Sequence, residues 1–468
     1  MSPNEMAFVT RMQEAGQPQA AIDAFTHYYR QLVSGETGLL AEADITPVAA
    51  VPDAAQLVGS ADEAELEAMG RDALRSAVVM KLNGGLGTSM GMARAKSLLE
   101  VKSGASFLDI IAQQTLYQRA QFGVRLPLLL MNSFRTRADS LAALARYPDL
   151  PVDGLPLDFV QHRVPKVLEH DLTPAEWPVD EHSWCPPGHG DLYTALLTSG
   201  MLDRLRAAGF RWVFVSNADN LGATLDPLIL GHMVSNRLPF LMEVADRTAA
   251  DRKGGHLARR ADGSLLLRES AQCAPEDIDA FQDWRRHRYF NTNNLWFDLD
   301  ALASLLNLRD GVLGLPMIRN RKKLVPTDPT SPDVIQLETA MGAALGVFKD
   351  AGAIRVPRSR FAPVKSTNDL LRLRSDVYAL NAASVVVPHP TREEDPPIIS
   401  LDRALFGHIA QLEARFPHGA PSLRACSSLT VQGDVIFGRD VTLVGDVLIR
   451  NDDVQPLEIR DGDVLSES

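Results

Sequence analysis

Apolar and polar residues recur on two periods along this chain, one helical and one that belongs to buried strands. Over residues 1–45, Met6, Met12, Ile22, Phe25 and Tyr29 stand at helical spacing with acidic and polar residues between them, which predicts amphipathic helix. Residues 46–60 contain Pro47, Pro52 and Gly59 and predict a connection. From about 70 to 300, short apolar runs take turns with helical patterns. The runs 77–82, 126–131, 156–160, 211–216, 239–245 and 293–298 predict strands, and 107–121, 191–208 and 225–236 predict helices. Most of the strand runs are apolar without strict alternation, as expected for a sheet covered on both faces. Strands and helices in turn predict an α/β domain with a largely parallel sheet, whose ligands bind beyond the carboxyl ends of the strands. The pattern changes again near the C-terminus. Gly433-Asp434-Val435 recurs as Gly445-Asp446-Val447 and as Gly462-Asp463-Val464, with short β runs between. This predicts a small stacked β-solenoid, with a simple β-meander as the alternative.

The predicted strand 77–82 runs into a turn holding Gly84, Gly85, Gly87 and Gly91. Glycine lacks Cβ and tolerates positive φ, so backbone N–H groups can ring an anion. Lys81 and Lys96 flank this loop and are read as fixed positive charge for a ligand with several phosphates. The spacing is not that of a P-loop, because no lysine directly follows Gly87 or Gly91. Nor is it the dinucleotide fingerprint, since Gly85, Gly87 and Gly91 give G-x-G-x-x-x-G.

Bulk properties narrow the class. At 468 residues the chain is long for one core, and 45% hydrophobic with 23% charged residues is an ordinary soluble composition. A formal charge of −12 argues against a nucleic-acid partner. A nucleotide ligand stays open, because a pocket can be locally basic and Mg²⁺ can supply further charge. Cys185, Cys273 and Cys426 are far apart and show no C-x-x-C spacing, which fits a reducing cytoplasm better than a disulfide framework or a zinc site. No apolar run nears the ~18 residues of a membrane span, so no membrane partner is expected. The first residues lack the basic-then-apolar pattern of a secretion signal.

Further motifs carry polar chemistry. In Trp184-Cys185-Pro186-Pro187-Gly188-His189-Gly190-Asp191 the prolines stiffen a turn, the glycines let backbone and imidazole reach a ligand, and Asp191 is placed to cap a helix from Leu192. The apolar run 211–216 ends in Asn217, Asp219 and Asn220. A carboxylate there, past a strand end and facing a phosphate loop, is a natural Mg²⁺ ligand, the alternative being an Asx-turn. Asn291, Thr292, Asn293 and Asn294 precede an apolar strand and match the donor and acceptor needs of sugar hydroxyls, or form a polar loop. Arg358, Arg360 and Lys365 are interleaved with Pro357 and Pro363, which suggests an ordered basic loop in which Lys365 reaches a phosphate. The run Arg319–Lys323 reads as solvated surface.

In this order, KLNGGLGTSMG, MNSF at 131–134, PPGHGD, SNADN, NTNNLW, VIQLETAMGAA at 334–344 and VPRSRFAPVK resemble the signatures of the eukaryotic-type UTP–glucose-1-phosphate uridylyltransferases, over about residues 70–450. The resemblance implies a nucleotide-sugar transferase α/β core with a mostly parallel mixed sheet, a helical N-terminal region and a small C-terminal left-handed β-helix. The corresponding divisions are 1–69, 70–380 and 381–468. It implies that Leu82, Gly84, Gly85, Gly87 and Lys96 bind UTP, the last four at its phosphates. Met131, Gln161 and Gly188 would line the uracil site. His189, Asn217 and Asn293 would hold glucose 1-phosphate, with Asn294 the alternative to Asn293. Asp219 would help place Mg²⁺, and Lys365 would contact phosphates of both reactants. Lys96 and Lys365 are thus the implied catalytic cations.

The chain departs from the family pattern in GMARAK, where a more basic, glycine-containing stretch is usual, and at Ala218, where serine is usual. The family's longer C-terminal tail is expected to be missing or reduced, and a monomer or weak homo-oligomer is expected. The implied reaction joins UTP and glucose 1-phosphate into UDP-glucose and pyrophosphate. The rivals are a uridylyltransferase for another sugar 1-phosphate, such as N-acetylglucosamine 1-phosphate, and a non-catalytic nucleotide-sugar binding paralogue. Retention of Lys96, Asp219 and Lys365 argues against the latter.

Overall fold

The apolar run Ala77–Asn83 is a strand at the middle of a ten-stranded sheet, and its side chains divide between two hydrophobic cores. Val78 and Met80 join Leu129, Met131, Val213 and Val215 on one face, while Ala77 and Val79 join Leu128, Leu130, Trp212 and Phe214 on the other. Apolar residues are therefore wanted at every position, which is why these strands show no alternation in the sequence. The computed structural model describes residues 1–392 and 395–466.

Four parallel strands, Asp158–Val160, Leu128–Asn132, Ala77–Asn83 and Trp212–Asn217, lie side by side in that order. The antiparallel strand Tyr289–Asp298 follows, then Phe240–Asp246, with Gly352–Arg355 parallel to it. A hairpin, His256–Arg260 with Leu265–Arg268, and the short strand Ile45–Pro47 extend the sheet. The four parallel strands deliver the loops after Asn83, Asn132, Val160 and Asn217 to one edge.

Most expected strands occur within two residues of their predicted positions. The exception is Tyr289–Asp298, which starts four residues before the predicted 293. Its polar run can lie in a sheet because neighbours satisfy it; Thr292 Oγ1, for one, donates to the Glu243 carbonyl at 2.7 Å. The single helix predicted over 191–208 is two, Leu192–Thr198 and Met201–Ala207, broken where Gly200 takes φ +69°.

The N-terminal helix is also two, Pro3–Glu14 and Gln19–Val33, parted by Gly16 at φ +69° and Pro18. Phe8, Met12, Ile22, Phe25 and Tyr29 pack against Trp184, Cys185, Met317, Ile335 and Leu337, but Met6, expected on this face, is exposed. Past Val33 the chain leaves the helix, and Ile45–Pro47 joins the sheet rather than continuing the predicted helix to 45. The helix Glu63–Ala73 runs across residues 69 and 70 and lies very close to Pro227–Ser235. A Cβ on Gly70 would stand 1.8 Å from the Pro227 carbonyl oxygen, and one on Gly231 1.8 Å from that of Leu66.

Toward the C-terminus the strands Ile398–Leu401, Ser422–Gln432, Thr442–Arg450 and Val464–Ser466 stack in parallel, and Val435–Phe437 stacks in parallel on Leu457–Ile459. A meander would require antiparallel neighbours. Gly433, Gly445 and Gly462 all have left-handed backbone; Gly433 and Gly462 stand at corners between strands, whereas Gly445 lies inside Thr442–Arg450 at a register irregularity against Ser422–Gln432. The side chains of Leu429, Val431, Leu443 and Val447 belong to the same hydrophobic core as Phe214 and Trp296 of the main sheet.

Candidate active site

At the carboxyl edge of the parallel strands a cleft of about 310 Å³ opens. Leu82, Gly84, Gly85, Lys96, Met131, Gln161, Gly188, His189, Asn217 and Asp219 all line it, with Asn83, Ser97, Pro186 and Ala218 beside them. Four strand ends supply most of these residues, and the Pro-Pro-Gly turn supplies Gly188 and His189. A Cβ on Gly84 would stand 2.9 Å from the side-chain amide of Gln161, which would have to swing aside within the cleft. The glycine loop returns on itself: Leu86 bridges Ala95, and Lys96 N–H donates to the Gly85 carbonyl at 3.1 Å. That return brings Lys96 back to the cleft, where its Nζ donates to Asp219 Oδ2 at 2.5 Å. Gly91, at φ +75°, turns the far end of the loop against the His408 ring of the C-terminal region, 3.0 Å from where a Cβ would be.

The turn carrying His189 is laced to the segment Glu338–Met341. Gly190 N–H donates to the Thr339 carbonyl at 2.8 Å, and Thr339 N–H donates to the Pro187 carbonyl at 3.0 Å. The Met341 N–H donates to His189 Nδ1 at 3.1 Å. Burial lowers the His189 pKa to about 4, so the ring is neutral at pH 7. With Nδ1 accepting, its proton sits on Nε2 and is available as a donor.

Asp191 does not cap the following helix. Its carboxylate accepts from His162 N–H at 2.7 Å and faces His162 Nδ1 at 2.8 Å, while Thr198 Oγ1 meets His162 Nε2 at 2.9 Å. Asp191 thereby holds the residue next to Gln161. Lys81 is also not in the cleft: it is buried on the other side of the strand, with Nζ donating to Ser216 Oγ at 2.6 Å and to the Ala223 carbonyl at 2.8 Å. Burial, helped by nearby Arg360 and opposed by Glu243, lowers its pKa to about 7.

Gly87, Asn293 and Lys365 are not among the residues lining the cleft. Gly87 opens the short 3₁₀ turn Thr88–Met90, against Met92. Asn293 has φ +58° and is half-buried, with its side chain on Asn291. Asn294 is fully buried, and its amide donates to Glu243 Oε2 at 3.0 Å, so of the two only Asn293 is open to solvent. Lys365 is exposed, with Nζ 5.6 Å from the Phe361 ring centroid, on a loop whose Pro363 bridges Asn220 beside Asp219. Among the described residues no group of three or more His, Cys, Asp or Glu stands where it could hold a metal ion by itself.

A model of the UTP–glucose-1-phosphate uridylyltransferase family matches residues 22–444. The chain belongs to this family. It is 42% identical over 394 residues to the UTP–glucose-1-phosphate uridylyltransferase of Saccharomyces cerevisiae, covering 84% of this chain and 77% of the yeast protein. It is 41% identical over 392 residues to that of Solanum tuberosum, covering 83% and 80%. A point mutant of UDP-glucose pyrophosphorylase from Leishmania major, crystallised in complex with UDP-glucose, superposes with a TM-score of 0.92 at 43% identity, covering 100% of this chain and 99% of that one. The α/β fold expected from the resemblance is therefore the fold of this uridylyltransferase family. No helix among the described residues is long and apolar enough to cross a membrane.

Two features of this uridylyltransferase site escaped the sequence reading. The backbone of Thr339 and Met341, within the motif VIQLETAMGAA, holds the His189 turn, and nothing in the motif's side chains signals that role. Glu243 lies fully buried under the site, and the signal for it was present: a lone carboxylate in the otherwise apolar run FLMEVA.

Acid should weaken the fold before carboxylates titrate. His256 is fully buried and stacks on His287 with ring centroids 3.7 Å apart. Burial, with the facing His287 and nearby Arg247, lowers the His256 pKa to about 2, and burial lowers that of His287 despite Glu42. An unfolded histidine takes up a proton near pH 6.5, and the folded ring does not. Buried His256 therefore costs stability as pH falls below about 6.5, by up to about 1.4 kcal/mol per pH unit, His287 acts in the same direction, and neither costs anything above that pH. The unfolding midpoint is expected to be flat from pH 8 to 6.5 and to fall from 6.5 to 5. A flat midpoint across the lower interval would show these rings charging freely.

Proposed function

We infer that this chain is a uridylyltransferase that makes UDP-glucose and pyrophosphate from UTP and glucose 1-phosphate. The observation that carries this reading is the convergence of Lys96, Asp219, His189, Gln161 and the bare amides of Gly84 and Gly85 on one cleft at the carboxyl edge of the sheet. A phosphate oxygen of the sugar attacks the α-phosphorus in line with departing pyrophosphate. That oxygen is already anionic near neutral pH, so no general base is needed. A neutral His189 suits this, because it can donate from Nε2 but is not asked to take a proton. The obstacle is repulsion between two polyanions, which cationic side chains and backbone N–H groups must offset while holding the line of attack.

The cleft suits Mg²⁺ in the usual way for nucleotide sites, where one or two carboxylates share the ion with substrate phosphates and water. Asp219 would hold it, exchanging its bond to Lys96 for the ion and freeing that lysine for phosphate. Bound there, the ion would supply positive charge against the triphosphate. Lys365 would reach the same phosphates from its loop, and Asn293 would face the sugar. Unpaired Cys185, Cys273 and Cys426 support a reducing compartment such as the cytoplasm.

Pyrophosphate release from UTP across a panel of sugar 1-phosphates with Mg²⁺ tests the reading. Glucose 1-phosphate is expected to exceed N-acetylglucosamine 1-phosphate by at least about tenfold in kcat/KM, a modest demand on a pocket that must admit or refuse one substituent. Preference for the acetylated sugar would reassign the substrate. No release with any of the sugars, despite tight UTP binding, would make the chain a binder.

A further inference from the structure

Beneath the cleft lies a buried polar cluster that no step of the reaction uses directly. Glu243 is fully buried, and both of its oxygens are occupied. Oε1 accepts from Trp296 Nε1 at 2.9 Å and Arg360 Nη2 at 2.6 Å, and Oε2 accepts from Asn294 Nδ2 at 3.0 Å and Arg360 Nε at 2.8 Å. Arg360 also donates to the Thr224 carbonyl at 2.8 Å. The ion pair thus anchors the loop that leads to Lys365 onto the central sheet. Removing one partner of such a pair would leave a buried charge unmatched, so the anchor is stiff.

Asn220 then joins that loop to the turn carrying Asp219. It is 1% exposed. Its Nδ2 donates to the Arg360 carbonyl at 2.9 Å and to Asn294 Oδ1 at 3.2 Å, and its Oδ1 accepts from Ala362 N–H at 3.0 Å. Gly222 lets the two backbones meet: a Cβ there would stand 2.1 Å from the Ser359 carbonyl oxygen. Asn220 also bridges Pro363, two residues before Lys365.

We propose that Asn220 is a positioning residue for Lys365: two of its three side-chain hydrogen bonds fasten the 360–365 loop to the Asp219 turn and the third ties that turn to Asn294 of the central sheet, so that the backbone carrying Lys365 is held at a fixed place beside the cleft. This rests on the reading of Lys365 as a phosphate contact. Phosphoryl and nucleotidyl transfer reward placement of charge at the transition state more than ground-state binding. Loss of the clamp should therefore appear in kcat rather than in KM.

A double-mutant cycle tests the proposal. Lys365→Ala alone is expected to lower kcat at least about a hundredfold. Asn220→Ala alone is expected to lower kcat by about thirtyfold with KM for UTP changed by less than about threefold, and to lower it by less than about threefold further when Lys365 is already alanine. Additive losses in the double variant would overturn the proposal, since a residue acting through Lys365 has nothing left to position. A rise in KM with kcat unchanged would overturn it as well. Near-normal turnover by Lys365→Ala would instead overturn the phosphate reading, and the proposal with it. Should Asn220→Ala fail to fold, Asn220→Ser carries the same cycle, because it stays neutral and polar at this buried site but is too short to span the Arg360 carbonyl and the Ala362 N–H.

Discussion

Lys96→Ala is expected to slow turnover roughly a hundredfold to a thousandfold, about 3 to 4 kcal/mol of barrier, with the fold retained. The reason lies in what the side chain joins. Lys96 closes the glycine loop, and its ammonium meets Asp219 inside the cleft, both side chains 19% exposed. On the mechanism inferred here, this lysine faces carboxylate in the free enzyme and triphosphate in the complex. Its removal takes away a cation where negative charge accumulates, and leaves Asp219 repelling the substrate. The loss should be partly masked at high Mg²⁺, because a second cation can take up some of the unpaired charge. Lys96→Arg keeps charge but not shape, and a planar fork in place of a compact ammonium should recover only part of the rate. Steady-state kinetics at two Mg²⁺ concentrations check this. Wild-type kcat/KM in Lys96→Ala would remove the lysine from the mechanism.

Gly188→Ala is the second large effect, and its origin is steric. Gly188 has φ +80° and ψ 173°, a region essentially closed to residues with a Cβ. The added atom would stand 2.4 Å from the Thr339 carbonyl oxygen and 2.8 Å from the Thr339 nitrogen. Both are backbone atoms of the segment that holds His189, so neither can move aside without displacing the histidine. Backbone strain and overpacking together should cost about 3 kcal/mol or more. The molecule can pay in stability or by shifting the turn. Either a marked drop in unfolding free energy or a steep fall in kcat/KM is therefore expected, from denaturant unfolding and steady-state kinetics on the same preparation. A variant unchanged in both would mean that the turn and the Thr339 segment separate readily.

Much of the site was legible before any fold was known, because the chemistry of phosphate binding concentrates in short motifs. Gly84, Gly85 and Lys96 are close in sequence and stay close in space. Asn217 and Asp219 end a strand that reads as a strand. The errors have a common source. Lys81 and Lys96 both flank the glycine loop, yet one is buried and the other lines the cleft. Asp191 stands at a helix start, which is the place for a cap, but His162 offered its carboxylate a backbone donor and a ring nitrogen. Asn293 and Asn294 are adjacent and alike, and only the neighbouring Glu243 separates the buried amide from the accessible one.

By itself, the order of residues determined the glycine loop, the strand ends that carry polar groups, the break in style at the Gly-Asp-Val repeats and the acidic, α/β character of the chain. These are local properties: backbone freedom, apolar runs and turn chemistry act within a few residues. Which face of the sheet each polar side chain meets, and what stands opposite it, was decided only in three dimensions. Lys81 pairs in register with Ser216, 135 positions away, and Arg360 finds Glu243 across 117. Partners of that separation are selected by packing of the two cores around the central strands, and no local spacing encodes them.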